Sequence, residues 1–274
     1  MIKQVENREL SALVNVVRKA GASILEVQKS GFVIEEKVNA DIVTRADVLA
    51  NDILKAELIG RFPDYGWLSE ESSDNSARLL RNKVWVVDPI DGTREFATGV
   101  PEFAISAALV DHGEPVAACV YNPATDELFH ALKNGGAWLN GRRIHCMPPV
   151  SLREIVVLAS RSEYRRGEWD RFLSCCHVRP VGSIAYKLAL VAAGAAHATF
   201  SLGPKNEWDI AAGVLLVSEA GGIVTNAQRE SLSFNRERVL VDGIVASEAG
   251  VNADLFAMIS GSWPGYQNDS KNSR

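Results

Sequence analysis

One segment constrains the fold most, an apolar run that ends in two carboxylates and a Gly-Thr pair: Trp85-Val-Val-Asp88-Pro89-Ile90-Asp91-Gly92-Thr93-Arg-Glu-Phe96. Trp85 to Val87 predict a buried strand, and Pro89 is expected to end it because proline cannot donate to a strand ladder. Asp88 and Asp91 are then on a turn where both can face one metal cluster, since Mg²⁺ prefers oxygen ligands. Gly92 lets the backbone approach a ligand, and the amides that follow can point at a phosphate. The segment therefore predicts a metal-assisted phosphate site.

Two other interpretations of this segment stay open. Asp, Pro and Gly are ordinary turn residues, so Asp88 and Asp91 can simply cap a turn. The segment also approaches the Asp-x-Asp-Gly-Thr pattern of aspartyl-phosphate phosphatases, in which the first Asp attacks phosphorus. Here two residues separate the acids rather than one. That spacing changes the reach of Asp88 and favours a ligand over a nucleophile.

Length and composition indicate a globular protein. The 274 residues suffice for one large domain or two of ordinary size, and 47% hydrophobic residues can build a full core. A formal net charge of -5 without a long basic run argues against a nucleic-acid polymer as partner. The N-terminus lacks an apolar h-region and no apolar run is long enough to span a bilayer. We therefore expect a cytoplasmic protein with no membrane partner.

Cysteine and histidine are not expected to carry the chemistry. The four cysteines show no zinc-type spacing, and the adjacent Cys175 and Cys176 are poorly placed to bridge each other. All four are expected to be reduced and mostly buried. The five histidines are scattered without metal-ligand spacing, so each is expected at the surface or in packing.

Hydrophobic periodicity predicts helices followed by a sheet. Helices are expected over 8–27 and 46–61 with a hairpin near 32–38, followed by a largely antiparallel sheet from strands 66–69, 103–110, 115–121, 127–132 and 137–139. After the paired prolines Pro148 and Pro149, strands near 154–159, 197–201, 222–225 and 244–246 alternate with helices 166–176, 184–193 and 210–220. The pattern predicts an α+β or layered α/β class with parts 1–147 and 148–260. The polar tail, 261–274, is expected to be disordered.

Further acids stand at the ends of predicted elements. Asp47 falls in the first turn of the second helix, Glu70 follows strand 66–69, and Asp209 begins an Ala-rich helix. Each has a plain alternative: Asp47 can complement the helix dipole, Glu70 can face water, and Asp209 can be a helix N-cap. A packed helix end, which Trp208 beside Asp209 favours, is also a suitable platform for a metal ligand.

Together these segments resemble the inositol monophosphatase family of metal-dependent, lithium-sensitive phosphatases. The motifs occur in the family's order: Asp41-Ile-Val-Thr-Arg-Ala-Asp47, Leu68-Ser-Glu70-Glu71, Asp88-Pro-Ile-Asp-Gly-Thr93 and Trp208-Asp209-Ile-Ala-Ala-Gly213. The resemblance covers roughly residues 10–258. It implies a layered αβαβα, inositol monophosphatase-like (sugar phosphatase) fold, in which the second part closes the cleft and returns Asp209 to the metal site of the first. Homodimers are common in the family, so a homodimer is one expectation.

The resemblance also implies roles for individual residues. The family's Mg²⁺ ligands, for two or three ions, are matched by Glu70, Asp88, the Ile90 carbonyl, Asp91 and Asp209. Asp47 and Thr93 match the pair that positions and activates the attacking water, and Gly92 with Thr93 matches the phosphate-holding turn. Lys37 and Asp41 lie in the segment that matches the mobile metal-site loop. The chemistry agrees, because such a cluster of acids repels phosphate until divalent cations reverse the charge.

The substrate is less constrained. Within the family the chain most resembles the CysQ-type 3'(2'),5'-bisphosphate nucleotidases, which hydrolyse adenosine 3',5'-bisphosphate to AMP and phosphate. That likeness is carried by Thr93-Arg94-Glu95-Phe96, Leu68-Ser-Glu-Glu, Leu109-Val-Asp-His-Gly113, Ser160-Arg161-Ser162 and Gly203-Pro204-x-Asn206-x-Trp208-Asp209. Arg161 and Lys205 can then meet a second phosphate, and the alternative is that they are solvated, as exposed basic residues usually are. Ser183 is expected either to contact substrate or to cap a helix.

Two departures keep other substrates open. Glu163 stands where these nucleotidases commonly have His, and Glu207 stands where an apolar residue can occur. Glu207 is expected to accept hydrogen bonds from sugar hydroxyls, which suits an inositol phosphate as well as a ribose. The alternative function is therefore an inositol-1-monophosphatase or a broader sugar-phosphate phosphatase. A third alternative is a phosphate-sensing protein without catalysis, and the joint presence of Asp47 and Thr93 argues against it.

Overall fold

The first two helices open the chain and enclose a short hairpin. The structure, a computed structural model, describes residues 7–36, 42–149 and 154–262. It begins with α1 (Arg8–Ser30), β1 (Ile34–Glu36), β2 (Ile42–Thr44) and α2 (Arg45–Arg61). Both predicted helices are confirmed, and β1 pairs antiparallel with β2, so the hairpin is wider than its predicted span of 32–38. The predicted metal-loop residues Lys37 and Asp41 lie outside the described residues.

A seven-stranded sheet follows, as the antiparallel pattern predicts. Its strands, with one short helix between the second and third, are β3 (Gly66–Ser69), β4 (Lys83–Asp91), α3 (Thr93–Ala97), β5 (Ala104–Asp111), β6 (Glu114–Asn122), β7 (Glu127–Leu132), β8 (Gly136–Leu139) and β9 (Arg142–Ile144). The strands lie side by side in sequence order. β3 is parallel to β4, and every later pair is antiparallel.

The prediction that Pro89 ends the strand is wrong. β4 runs through Pro89 to Asp91, and its pairing with β5 changes register between Asp88 and Asp91. A proline is tolerated where a bulge interrupts the ladder, because its missing N–H is then not needed. The irregularity lies at the acids themselves, and bulges commonly re-aim side chains near active sites.

The second half alternates strands and helices around a five-stranded sheet. Its elements are β10 (Val156–Ser160), α4 (Arg161–Arg165), β11 (His177–Val181), α5 (Ile184–Ala192), β12 (Ala198–Ser201), β13 (Lys205–Asn206), α6 (Glu207–Glu219), β14 (Gly222–Thr225), β15 (Leu240–Val241), β16 (Ile244–Glu248) and α7 (Asn252–Ser260). The sheet order is β11-β10-β12-β16-β14, and β13 pairs separately with β15.

Two helices of this half differ from the predictions. The expected helix over 166–176 is wrong: α4 ends at Arg165, and only a short 3-10 helix, Asp170–Phe172, follows. Gly167, with φ at +75°, turns the chain between them, which a continuous α-helix cannot accommodate. α6 begins at Glu207 rather than at residue 210. Asp209 is therefore the third helical residue and not the N-cap, a position that Asn206 holds.

The buried side chains show five layers. Alternate residues of β4 face opposite sides: Trp85 and Val87 pack with α1 and α2, whereas Val84 and Val86 pack with α5 and α6. The latter cluster also includes residues of the second sheet, such as Leu158, and α7 packs on that sheet's far side. The order is helices, sheet, helices, sheet, helix, which confirms the layered αβαβα fold. The division at residues 147 and 148 stays a prediction.

Other expectations concern the cysteines and the membrane. All four cysteines are free thiols, three of them buried, as predicted. Among the described residues, no helix has the length and apolar character needed to cross a bilayer.

Candidate active site

A cleft of about 720 Å³ lies where the two sheets and α5 and α6 meet. Its lining includes most of the residues that the sequence singled out: Glu70, Asp88, Ile90, Asp91, Gly92, Thr93, Arg161, Ser183, Lys205 and Asp209. These side chains come from both halves of the chain. The fold therefore brings together residues up to 139 positions apart, the separation between Glu70 and Asp209.

Three carboxylates converge on the floor of the cleft. Glu70, Asp88 and Asp209 each place an oxygen within 4.8 Å of the other two. Glu70 follows β3 and Asp88 lies in β4, so the parallel pairing of these strands sets the two acids side by side. Asp209 arrives on the first turn of α6, where its carboxylate accepts a hydrogen bond from the Asn206 N–H at 3.0 Å. The Asp88 carboxylate accepts one from the Ile90 N–H at 2.9 Å.

The cluster is electrostatically suited to a divalent cation. Burial, and then the charges of Glu70, Asp91 and Asp209, raise the pKa of Asp88 well above its usual range. Burial, followed by the charges of Asp91 and Glu70, does the same to the pKa of Asp209. Buried charges need a partner, and the hydrogen bonds that these two carboxylates accept come from backbone N–H groups, those of Ile90 and Asn206. An all-oxygen set of this kind fits Mg²⁺.

Asp91 is held from the other half of the chain. Its Oδ2 accepts hydrogen bonds from the Ser183 hydroxyl and from the Ala185 N–H, both at 2.6 Å. Burial raises the pKa of Asp91, although these hydrogen bonds oppose the shift. Ser183 sits at φ +54° and also caps α5 by accepting from the Tyr186 N–H at 2.9 Å. The helix-cap alternative for Ser183 is thus observed, and its hydroxyl serves Asp91 at the same time.

Thr93 and Asp47 meet beside the carboxylate cluster. The Thr93 hydroxyl lies 3.0 Å from Asp47 Oδ1 and 3.0 Å from the Ile90 carbonyl. The other oxygen of Asp47 accepts from the Thr44 N–H and hydroxyl at 2.8 and 2.7 Å, which forms the capping box of α2. Asp47 is 1% exposed, and burial raises its pKa. One oxygen of Asp47 therefore belongs to the helix N-terminus, while the other faces Thr93.

Gly92 forms the sharp turn between β4 and α3. Its φ is +95°, a conformation that a residue with a side chain rarely adopts. A Cβ there would lie 3.1 Å from the Glu102 carbonyl and 3.3 Å from Phe103. The positive φ and the close approach leave glycine as the residue that fits.

The predicted substrate residues divide into two groups. Arg161 and Lys205 line the cleft, but the Arg161 guanidinium already forms two hydrogen bonds with Glu102, at 2.6 and 2.7 Å. Glu207, predicted to contact substrate, is not among the residues that line the cleft, and its side chain is fully buried. Its carboxylate accepts hydrogen bonds from the Asn235 and Arg236 N–H groups at 2.6 and 3.1 Å. These hydrogen bonds hold the loop at Asn235 and Arg236, and a contact of Glu207 with substrate stays a prediction.

Sequence reasoning missed one residue that lines the cleft, Lys187, and one that binds a lining residue, Glu102. Lys187, 3% exposed, lines the cleft and donates to the carbonyls of Val181 and Ser183 at 3.2 and 3.0 Å. Burial lowers its pKa to about 8. A lone lysine in the apolar helix Ile184–Ala192 is the signal that marks it. Glu102, the partner of Arg161, has no such signal, because acids after a Val-Pro pair are ordinary loop residues.

Comparisons with known proteins agree with the geometry. Residues 6–260 match the sequence profile of the inositol monophosphatase family. An inositol-1-monophosphatase of Rhizobium meliloti (strain 1021) is 39% identical over 231 residues, which cover 80% of this chain and 85% of that protein. The Nus factor SuhB of Xylella fastidiosa (strain Temecula1) is 35% identical, covering 78% and 80%. The solved IMPase of Thermotoga maritima superposes with a TM-score of 0.83 at 29% identity, covering 93% of this chain and 98% of that one.

Proposed function

This chain belongs to the inositol monophosphatase family and is a metal-dependent phosphatase, and we propose that it hydrolyses inositol 1-phosphate or a closely related sugar phosphate. The sequence motifs alone favour a bisphosphate nucleotidase, but the relatives favour the inositol alternative. The protein from Rhizobium meliloti that shares 39% of its residues with this chain is named an inositol-1-monophosphatase. Since the substrate is a small phosphate ester, the cleft of about 720 Å³ is large enough to enclose it.

The convergence of Glu70, Asp88 and Asp209 carries the proposal. We assign two or three Mg²⁺ ions to the ligands Glu70, Asp88, Asp91, Asp209 and the Ile90 carbonyl. The ions supply charge neutralisation at the phosphate oxygens and activation of water. Metal binding also offsets the unfavourable free energy of burying Asp88 and Asp209 next to each other, because a bound cation stabilises both carboxylates as anions.

The remaining residues position the reactants. The Thr93–Asp47 pair holds the water whose oxygen attacks phosphorus, with Asp47 fixed by Thr44 from behind. Alignment of this kind contributes a large part of phosphoryl-transfer catalysis, because little covalent work falls to the protein. The backbone of Gly92 and Thr93 presents N–H groups to the phosphate. Asp91 is kept in place by Ser183 and Ala185 of α5.

A 3'(2'),5'-bisphosphate nucleotidase is the second candidate. The segment Gly203-Pro204-Lys205-Asn206, which resembles that of the CysQ-type enzymes, places Lys205 and Asn206 in the cleft wall. A cation there suits a second phosphate. Homodimerisation and lithium sensitivity follow from the family only and remain predictions.

Phosphate release tests the two candidates directly. Mg²⁺-dependent turnover is measured with inositol 1-phosphate, adenosine 3',5'-bisphosphate and fructose 1,6-bisphosphate at matched concentrations. The proposal expects the highest kcat/KM with inositol 1-phosphate and none after chelation of the metal. A kcat/KM that is tenfold or more higher with adenosine 3',5'-bisphosphate would replace the inositol assignment with the nucleotidase. Preference for fructose 1,6-bisphosphate would assign the broader sugar-phosphate activity.

A further inference from the structure

An ion pair joins the two halves of the chain at the wall of the cleft. The Arg161 Nε lies 2.6 Å from Glu102 Oε2, and an Arg161 terminal nitrogen lies 2.7 Å from Oε1. This is the parallel, two-bond arrangement in which a guanidinium recognises a carboxylate most strongly. The side chains are 31% and 22% exposed, so the pair is neither deeply buried nor free in solvent.

Glu102 is itself held in place. Its Oε2 also accepts a hydrogen bond from the Gly182 N–H at 2.8 Å. Burial alone would raise the pKa of Glu102, but the hydrogen bonds from Arg161 and Gly182 outweigh it and leave the pKa lowered. Glu102 therefore carries its charge at neutral pH, and it pairs with Arg161, which lines the cleft together with Arg94 and Arg165.

The same carboxylate thus occupies the anion-binding face of Arg161. We propose that Glu102 determines substrate specificity. It neutralises Arg161 and so disfavours phosphate esters that carry a second anionic group, compared with esters whose other substituents are all hydroxyls. The inference rests on the proposed function, in which the preferred substrate has one phosphate. A second phosphate at this wall must displace Glu102 or lie beside its charge, and either costs affinity.

Replacement by glutamine separates the two tasks of Glu102. Glu102→Gln keeps an oxygen that can accept from the Gly182 N–H, but it removes the negative charge and one of the two acceptors of Arg161. The backbone at Gly182, which precedes the Ser183 contact to Asp91, is then still supported. The guanidinium becomes available to another anion.

The test compares matched substrates that differ by one phosphate. One pair is inositol 1-phosphate and inositol 1,4-bisphosphate; the other is adenosine 3'-monophosphate and adenosine 3',5'-bisphosphate. For each pair, kcat/KM for the bisphosphate is divided by kcat/KM for the monophosphate. This ratio is measured for three proteins: the natural protein, the single variant Glu102→Gln, and a double variant that carries both Glu102→Gln and Arg161→Met. Glu168→Gln is the matched control, since Glu168 pairs with Arg166 at 2.5 Å on the exposed surface.

We expect Glu102→Gln to raise the ratio about tenfold, the size of one hydrogen bond to a charged group. The gain should appear in KM rather than kcat, disappear in the double variant, and be absent from Glu168→Gln. An unchanged ratio in Glu102→Gln overturns the inference, as does an equal fall of kcat for both members of a pair, which marks a purely structural role. Failure of the natural protein to cleave the inositol esters rejects the proposed function instead, and the adenosine pair then still measures the ratio.

Discussion

The Thr93 hydroxyl lies 3.0 Å from Asp47 Oδ1, across 46 residues of sequence. Asp47 belongs to the first turn of α2, and Thr93 begins α3 directly after the acidic end of β4. The hydroxyl also reaches the Ile90 carbonyl at 3.0 Å, so it links the predicted water-activating acid to the predicted metal ligands. The pair is the structural basis of the first prediction.

Thr93→Val should lower kcat roughly a hundredfold or more while metal binding stays unchanged, because the change removes the hydroxyl that we propose positions the attacking water. Thr93→Ser should restore most of the rate. Thr98→Val is the control, since that hydroxyl bonds only within its own segment, to the Arg94 carbonyl at 2.8 Å and the Glu95 carbonyl at 3.3 Å. Steady-state kinetics with Mn²⁺ titration checks both parts. A Thr93→Val enzyme with near-normal kcat would contradict the assignment.

Gly182→Ala should reduce the free energy of unfolding by about 1–3 kcal/mol through overpacking. A Cβ at Gly182 would lie 2.4 Å from Glu95 Cγ and 2.6 Å from the Glu102 carbonyl. Gly203→Ala is the matched control, because a Cβ there meets nothing within 4 Å. Urea denaturation of both variants gives the comparison. Equal stability of the two would mean that the turn at Gly182 relaxes without cost.

Glu207→Gln should lower stability by roughly 1–3 kcal/mol and leave KM unchanged at saturating Mg²⁺. The carboxylate is fully buried and accepts two backbone hydrogen bonds from the loop at Asn235 and Arg236. Glu237→Gln, at an exposed position of the same loop, serves as control. Thermal unfolding and substrate kinetics together decide the matter. A several-fold rise in KM with no loss of stability would instead indicate that Glu207 contacts the substrate.

The stabilisation by Mg²⁺ should grow with pH. Burial raises the pKa values of Asp88 and Asp209 in the folded state, so the stability they contribute is present below their unfolded pKa and is lost as pH rises through the folded one. Mg²⁺ binds the deprotonated cluster and recovers that loss. The increase in Tm caused by saturating Mg²⁺ should therefore be larger at pH 7.5 than at pH 5.5, with NaCl of equal ionic strength as the reference. An equal or smaller increase at pH 7.5 would argue against metal binding at these acids.

Local sequence patterns predict the elements of this fold well where one physical rule dominates. The apolar periodicity of α1 follows from the burial of one helix face, and the continuous apolar run of β5 follows from burial of the strand on both faces. Pro89 was misjudged because the rule against proline in strands yields at a bulge, and the bulge depends on how β5 pairs. The helix expected over 166–176 failed because Gly167 adopts a positive φ that the surrounding helical pattern does not reveal.

The acidic site was predictable, but its supporting contacts were not. The acids stand out because each ends an apolar element, and four such motifs in order point to one family. The partner of Arg161 is 59 residues away in the chain, and the partners of Glu207 are 28 and 29 residues away. No local pattern encodes these pairings, because they depend on how the two sheets pack. The sequence therefore indicated neither the pairing of Arg161 with Glu102 nor that of Glu207 with the loop at Asn235 and Arg236.

Anomalous diffraction from crystals grown with Mn²⁺ shows whether a divalent cation binds between the three acids. We expect a strong anomalous peak among the carboxylates of Glu70, Asp88 and Asp209, within about 2.5 Å of their oxygens, and its loss in Asp88→Asn crystals of the same form. Clear peaks elsewhere, with none between these three side chains in an enzyme that Mn²⁺ activates, would contradict this expectation.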